Sequence, residues 1–213
     1  MKMIRFLKNS IGFILVLFIA FFVLTIFYSA ENKLPVTYPN DGFENVKKYE
    51  ALITQELAEY QLEEYTPLVL ALMQQESKGV GGDPMQASES AGLPRNTIED
   101  PAKSIEQGVS YFQKSLQYGK ERNVDELTVI QAYNMGIGYI DFIVKNGGKH
   151  SEDLAKEFSL LQVKKQPDVY NCGGNKENFR YPYCYGDFTY STKVQENVNT
   201  LTETASAKKN DQM

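Results

Sequence analysis

The sequence predicts an all-α, or nearly all-α, domain behind one N-terminal apolar segment. Three observations carry this. After residue 45, apolar residues recur at spacings of three and four, while no alternating strand pattern persists and no internal repeat appears. Capping residues and glycines punctuate these stretches where helices start and stop. The first thirty residues or so are too apolar for a soluble fold, which leaves roughly 180 of the 213 residues for one domain with its own core.

Ile11 to Tyr28 carries no charge and consists almost entirely of Ile, Leu, Val, Phe and Ala. A hydrocarbon core about 30 Å thick needs roughly 20 such residues as a helix. Lys2, Arg5 and Lys8 precede the span, so the excess of positive charge keeps the N-terminus in the cytoplasm and sends the rest outside. A cleaved signal peptide is the rival. Its apolar region is shorter, about 7–15 residues, and ends in a small-x-small site. Phe27-Tyr28-Ser29-Ala30 is a poor match to that, and no Cys follows for lipidation. The expected division is a basic cytoplasmic segment 1–10, a transmembrane anchor 11–29, a linker 30–44, a globular domain 45–201 and a polar tail 202–213. The localisation is then a single-pass membrane protein with its domain outside the cell.

Within the domain, Val46, Tyr49, Ile53, Leu57 and Tyr60 line one face of a first helix starting at Asn45. Thr66-Pro67 reads as an N-cap with Pro at the first helical position. Leu68 to Met73 is apolar all round, so this helix is expected to be buried, ending near Ser77 and stopping at Gly79. A glycine- and proline-bearing loop follows to Arg95. Asp100-Pro101 starts the next helix, with Ile105, Val109, Phe112 and Leu116 inward and Gly119 at its end. Asp125 caps a helix holding Leu127, Ile130, Ala132 and Tyr133. Gly136 and Gly138 break it before residues 137–144 resume. Ser151 caps another, with Leu154, Phe158 and Leu161 inward. Tyr190, Val194, Val198 and Leu201 mark the last helix, and the tail beyond is expected to fray.

Net charge is −5 with both signs dispersed, and no basic patch marks a nucleic-acid partner. There is no Trp but there are fourteen Tyr, whose flat face and hydroxyl suit wet ligands such as sugars as well as they cover a small core. Cys172 and Cys184 close a short Gly-, Asn- and Tyr-bearing loop that reads, outside the cell, as one disulfide. With His150 as the single histidine, they are too few for a zinc site. His150 lies in a Gly-Lys-His-Ser turn and is expected to be solvated.

The chemistry centres on Glu76. Val69, Leu72, Met73 and Glu76 share one helical face, so this carboxyl continues an apolar stripe at the end of a buried helix. Partial desolvation and the negative helix end both raise its pKa. A carboxyl still protonated near neutral pH can donate to a glycosidic oxygen. The bland alternative is a polar residue facing water at a fraying helix end.

The stretch Leu70-Ala71-Leu72-Met73-Gln74-Gln75-Glu76-Ser77 resembles the catalytic helix of soluble lytic transglycosylases and goose-type lysozymes. Asp83-Pro84-Met85-Gln86 is similar to their Gly-Leu-Met-Gln turn. Asp100-Pro101 with Ser104, Ile105, Gly108 and Tyr111 resembles their next helix, and Ala132-Tyr133-Asn134-Met135-Gly136 their Ala-Tyr-Asn-x-Gly element. Tyr185-Gly186-Asp187 with Tyr190 and Val194 resembles their closing segment. The five occur in family order over about 125 residues. The run from Gly82 to Ser90 is most similar to the lysozyme-like family of membrane-anchored Gram-positive surface proteins, in its stand-alone form. The resemblance implies a lysozyme-like fold and a muramidase, a glycoside hydrolase acting on the N-acetylmuramic acid–N-acetylglucosamine β-1,4 bond of peptidoglycan. No cofactor and no metal are implied. A partner in cell-wall or conjugation machinery is compatible with it.

Residue by residue, the resemblance makes Glu76 the general acid. Ser77 contacts the sugar or orients Glu76, and Gln86, Tyr133 and Asn134 face the groove. Tyr111 is a stacking platform or a core residue. Where goose-type lysozymes carry an Asp shortly after Met-Gln, this chain has Ser88, so Asp83 and Glu89 are the candidates for a second catalytic carboxylate. Asp83 precedes a Pro, a common turn start, so a turn-ordering role stands beside the chemical one. Inverting hydrolysis calls for two carboxylates about 6.5–9.5 Å apart. A lytic transglycosylase, which forms anhydro-muramic ends, needs only one. A non-catalytic peptidoglycan-binding scaffold is the alternative from another class, but the Glu-Ser pair expected to be lost there is intact.

The membrane span gives the first test. Full-length protein is expected to stay in the membrane fraction through a high-salt wash. Recovery only in the medium, starting near Ala30, would overturn the anchor.

Overall fold

From residue 42 to 210, the part of the chain that the computed structural model describes, eight α-helices form and no strand does; side chains are described through residue 203. The helices are α1 (Glu44–Lys47), α2 (Glu50–Ala58), α3 (Thr66–Ser77), α4 (Pro101–Glu121), α5 (Glu126–Met135), α6 (Gly138–Lys145), α7 (Glu152–Lys165) and α8 (Tyr190–Asn210). Single 3-10 turns lie at Glu63–Tyr65, Glu89–Ala91 and Cys172–Gly174. The all-α expectation holds throughout this part. The expected anchor at 11–29, its basic flank and most of the linker lie outside the described residues. Among the described residues, no helix is long and apolar enough to cross a membrane.

Helix α3 is the spine. Every residue from Leu68 to Met73 is buried, as an apolar run without a polar face requires. α1, α2 and α8 pack around it. Ile53 and Leu57 of α2, Ile105, Val109 and Phe112 of α4, and Val194 and Leu201 of α8 join it in one core. A second, smaller core holds Tyr139, Ile140 and Ile143 of α6 with Ala155 and Phe158 of α7. Helix α5 belongs to both, giving Val129 and Ile130 to the first and Ala132 and Met135 to the second. It thereby connects the layers that meet at the site.

The polar caps work as the sequence predicts. The carboxylates of Asp100 and Asp125 accept from the backbone N–H groups of Ala102 and Thr128, and the Ser151 hydroxyl accepts from that of Leu154. Thr66 departs from expectation. The chain already turns at Glu63–Tyr65, so Tyr65 takes the cap position and the Thr66 hydroxyl donates back to the Glu63 carbonyl at 2.8 Å.

Other departures have similar local causes. The expected first helix breaks at Lys48-Tyr49 into α1 and α2, and Tyr60 falls beyond α2 and is exposed. Leu161 is exposed rather than inward. Ala155, Phe158 and Ser159 set the buried face of α7, and Leu161 lies roughly 100° around from its centre at about 100° per residue. Helix α8 continues past Leu201 to Asn210, where a frayed tail was expected.

His150 is the largest correction. It is half-buried rather than freely solvated: its ring sits between two buried hydroxyls, Tyr139 on Nδ1 and Ser191 on Nε2, each at 2.8 Å. A turn composition rich in Gly and Lys could not reveal those two partners, which lie 11 residues before it and 41 after it.

Cys172 and Cys184 form the expected disulfide, and among the described residues no cysteine is free. It closes a short loop, the two cysteines being 12 residues apart, and so restricts the unfolded chain. Replacing both with Ser should lower stability by about 2–4 kcal/mol and leave the fold intact. Thiol labelling of the unreduced native protein should find nothing to label; full labelling would remove the staple from the account.

Candidate functional site

Glu76 lies in the last turn of α3, one residue before the helix ends. Lys78 then takes a left-handed conformation at φ 57° and closes the helix, its N–H donating to the Gln74 carbonyl. Glu76 is half-buried, and Oε1 accepts from the Tyr190 hydroxyl at 2.5 Å. Burial pushes its pKa up, and the Asp83 and Glu89 carboxylates push the same way. The Tyr190 hydrogen bond and the Arg95 guanidinium pull it back, and the balance leaves it at about 7. The carboxyl is therefore poised between its acid and base forms at neutral pH, the condition for efficient proton transfer.

Tyr190 was not singled out as a site residue by sequence. It opens α8, is almost fully buried, and its pKa is driven far up by burial and by the facing Glu76. The signal was present in weak form. A Tyr on the inner stripe of a helix must bring its hydroxyl to a buried partner, and the partner lies 114 residues away.

The loop after α3 is organised by Asp83, which is 4% exposed. Oδ1 accepts from the Ala87 N–H at 2.8 Å and the Ser104 hydroxyl at 2.7 Å. Oδ2 accepts from the Ser88 N–H at 3.1 Å and the Ser88 hydroxyl at 2.6 Å. Burial alone would raise its pKa, but these four bonds outweigh it and hold the carboxyl below the usual range. All four lone-pair directions are occupied, so this carboxylate is built into the turn. Ser88 also accepts from the N–H groups of Thr97 and Ile98, which pins the far end of the loop. The Ser104 hydroxyl accepts from the Met85 N–H, and Met85 packs so closely on α4 that a Cβ at Gly108 would lie 2.7 Å from its own Cβ. The other candidate carboxylate, Glu89, is exposed and paired with Arg95 at 3.0 Å.

The remaining expected site residues divide into two groups. Tyr133 lies within electrostatic reach of Glu76 and packs against Tyr111, while Asn134 turns to the closing segment. The Tyr133 hydroxyl donates to the Met85 carbonyl at 3.1 Å, and its ring meets Tyr111 edge-on at 5.5 Å. Tyr111 is half-buried. Asn134 accepts from the Asp187 N–H at 2.7 Å and so anchors the closing segment. That contact needs Gly186, at φ 64°, because a Cβ there would lie 2.8 Å from the Asn134 oxygen. Gln131 reinforces it, donating to the Asp187 carbonyl and accepting from the Ser191 N–H.

Ser77 and Gln86 serve the loop instead. The Ser77 hydroxyl donates to the Pro84 carbonyl at 2.7 Å and accepts from the Gly79 N–H. The Gln86 amide donates to the Asp83 carbonyl and to Asn96 Oδ1. Gln86 lines a cavity of about 340 Å³ with Gly81, Gly82, Asp83, Asn96 and Glu99; Glu76 does not line it. Among the described residues, no group of three or more His, Cys, Asp or Glu is placed to hold a metal.

This arrangement, an acid at the end of a buried helix with a pinned loop and a tyrosine wall around it, has relatives. Residues 43–198 match the lysozyme-like family. The chain belongs to that family. It is 50% identical over 186 residues to YocA, an uncharacterised membrane protein of Bacillus subtilis, covering 86% of this chain and 83% of that one. It is 48% identical over 96 residues to the bifunctional muramidase/DL-endopeptidase CwlT of the same organism, covering 45% of this chain and 28% of CwlT. Among solved structures it is similar to a Staphylococcus aureus Mu50 protein described as similar to lipoprotein, NLP/P60 family. The TM-score there is 0.62 at 34% identity, covering 72% of this chain and 52% of that one. A lysozyme-like, peptidoglycan-acting chain is what these relatives support.

Asp83 yields the prediction here. Asn cannot accept at all four positions, and its NH2 group would face donors. Asp83→Asn should cost about 2–4 kcal/mol through two stranded donors. Because the folded-state pKa of Asp83 is depressed, its stabilisation is present above the unfolded-chain value and is lost as pH falls through the folded value. Thermal melts of the two proteins should therefore converge in acid. Equal melting temperatures at pH 7 would show that the four bonds do not organise the loop.

Proposed function

We propose that this chain is a muramidase that cleaves the N-acetylmuramic acid–N-acetylglucosamine β-1,4 bond of peptidoglycan, with Glu76 as general acid. The observation that carries the reading is the half-buried Glu76 carboxyl, brought to a pKa of about 7 and held by Tyr190. Its proton passes to the bridging oxygen as the C1–O bond breaks, and the developing positive charge on the sugar is met by the carboxylate left behind. That carboxylate then takes the proton of the incoming nucleophile. Tyr111 and Tyr133 are assigned to the groove, and Asp83 to holding the turn rather than to activating water. The muramidase named among the relatives favours water as the nucleophile, giving a reducing end.

A second reading has its own support. Asp83 has all four acceptor positions filled and Glu89 is paired to Arg95, whereas Glu76 accepts only the Tyr190 hydroxyl among the described residues, so neither other carboxylate is free to activate water. Attack by the muramic 6-hydroxyl requires no other carboxylate and would leave an anhydro end. We assign the N-terminal span 11–29 to an uncleaved anchor that keeps the domain at the outer membrane face, in line with a relative described as a membrane protein.

Glu76→Gln keeps shape and loses the proton, so glycan cleavage should fall by about 10²–10⁴-fold while wall binding persists. Wild-type turnover should decline as pH rises through about 7, because only the protonated acid donates. The folded-state pKa is raised, so Glu76 favours folding below its unfolded value and that contribution is lost as pH rises through about 7. The Gln variant should therefore melt above wild type at pH 8, by an amount on the order of 1–3 kcal/mol. Mass spectrometry of released muropeptides separates reducing from anhydro ends. A folded Glu76→Gln protein that clears peptidoglycan at the wild-type rate would overturn the assignment.

A further inference from the structure

His150 lies apart from the acid, and nothing in the proposed chemistry uses it. Yet its environment is built. The backbone N–H of His150 donates to the Asp125 carboxylate, which also caps α5, so the residue is fixed at its main chain. Its ring bridges Tyr139 of α6 and Ser191 of α8, both hydroxyls being almost wholly out of water. A neutral imidazole carries a donor at one end and an acceptor at the other, so it can satisfy two hydroxyls at once, which neither an aliphatic nor an aromatic hydrocarbon side chain can do.

The consequence lies one residue away. Ser191 follows Tyr190, and the two side chains leave α8 in directions about 100° apart. Tyr190 points at Glu76 while Ser191 points at His150. Gln131 and Asn134 hold the main chain of this segment, and the Ser191 side-chain contact adds the restraint on the rotation of α8 about its own axis at the start of the helix. With the tyrosine oxygen roughly 8 Å from that axis, a rotation of about 10° would move it by about 1.4 Å, enough to break a hydrogen bond.

We propose that His150 is a positioning residue for Glu76: by clamping Ser191 to Tyr139, it sets the rotation of α8 that places the Tyr190 hydroxyl on the Glu76 carboxyl. Its bearing on turnover rests on Glu76 being the general acid; its effect on the Glu76 carboxyl does not. The groups that act on Glu76 are Tyr190 from α8 and Asp83, Glu89 and Arg95 from the loop; Tyr133 of α5 feels its charge in return. Those that act on His150 are Asp125 and Glu152, with Tyr139 on its ring. Burial lowers the imidazole's pKa against the pull of those two carboxylates. The ring is thus mainly neutral where Glu76 titrates, and its removal reaches Glu76 through position rather than through charge.

The test reads Glu76 directly. Full-length protein in detergent, carrying ¹³C-carboxyl glutamate, is titrated by NMR, with the Glu76 resonance identified by its loss in Glu76→Gln. Tyr190→Phe removes a bond that lowers the pKa, so Glu76 should bind its proton roughly tenfold more tightly. His150→Phe and the gentler Ser191→Ala should shift it the same way. The His150→Phe/Tyr190→Phe double variant should go no further than Tyr190→Phe alone, because the single path is already cut. Ser191→Ala decides the matter if His150→Phe fails to fold. An unmoved Glu76 in Ser191→Ala, an unmoved Glu76 in Tyr190→Phe, or full additivity in the double variant would each overturn the proposal. If Glu76 shifts as expected in a protein that cleaves no glycan, the positioning role stands and the muramidase reading falls.

Discussion

The hydrogen bond from Tyr190 to Glu76 joins the first buried helix of the domain to its last. Helix α3 brings a carboxyl out of an apolar run, and helix α8 returns from the far end of the chain to meet it. Neither element is useful alone. A carboxyl left unpartnered in a partly dry site would only be a burden. A phenol on the inner face of α8 would lack an acceptor. Together they form a short contact whose strength is set by the burial on both sides.

The rest of the domain can be understood as support for that contact. Asp83 orders the loop after α3 by collecting four donors from two loop positions and α4. Because the ordering group is itself a carboxylate, it also adds negative potential at Glu76 and contributes to the raised pKa there. Arg95, drawn to Glu89, works in the opposite direction. The acid's proton affinity is thus a balance of burial, two carboxylates, one guanidinium and one phenol, and small shifts of the loop would retune it.

On the other side, α5 ties the second core to α8. Asn134 and Gln131 hold the segment 187–191 by its backbone, while the disulfide-closed loop delivers Tyr185, whose hydroxyl donates to the Met135 carbonyl at 2.9 Å. The Ala-Tyr-Asn-x-Gly element therefore does two jobs. Its Tyr donates to the Met85 carbonyl within electrostatic reach of Glu76, and its Asn is spent on architecture, holding the segment from which α8 starts.

The sequence by itself determined the elements. Helix periods, caps at Asp100, Asp125 and Ser151, the wholly buried run Leu68–Met73, the pairing of the two cysteines and the place of Glu76 on an apolar stripe follow from local composition and spacing, which a sequence displays. The raised pKa of Glu76 also draws on Tyr190, Asp83, Glu89 and Arg95. Resemblance added the identity of the family through five short motifs in order. Only the tertiary structure decided what the polar side chains do. Ser77 and Gln86 are drawn to the loop by carbonyls near them in space, Asp83 is saturated by donors up to 21 residues away, and His150 and Tyr190 owe their roles to partners 41 and 114 residues distant. The physical reason is range. Burial of an apolar face follows from spacing along one helix, whereas a hydrogen bond is directional and short, so its partner exists only once distant helices have been packed at a particular angle.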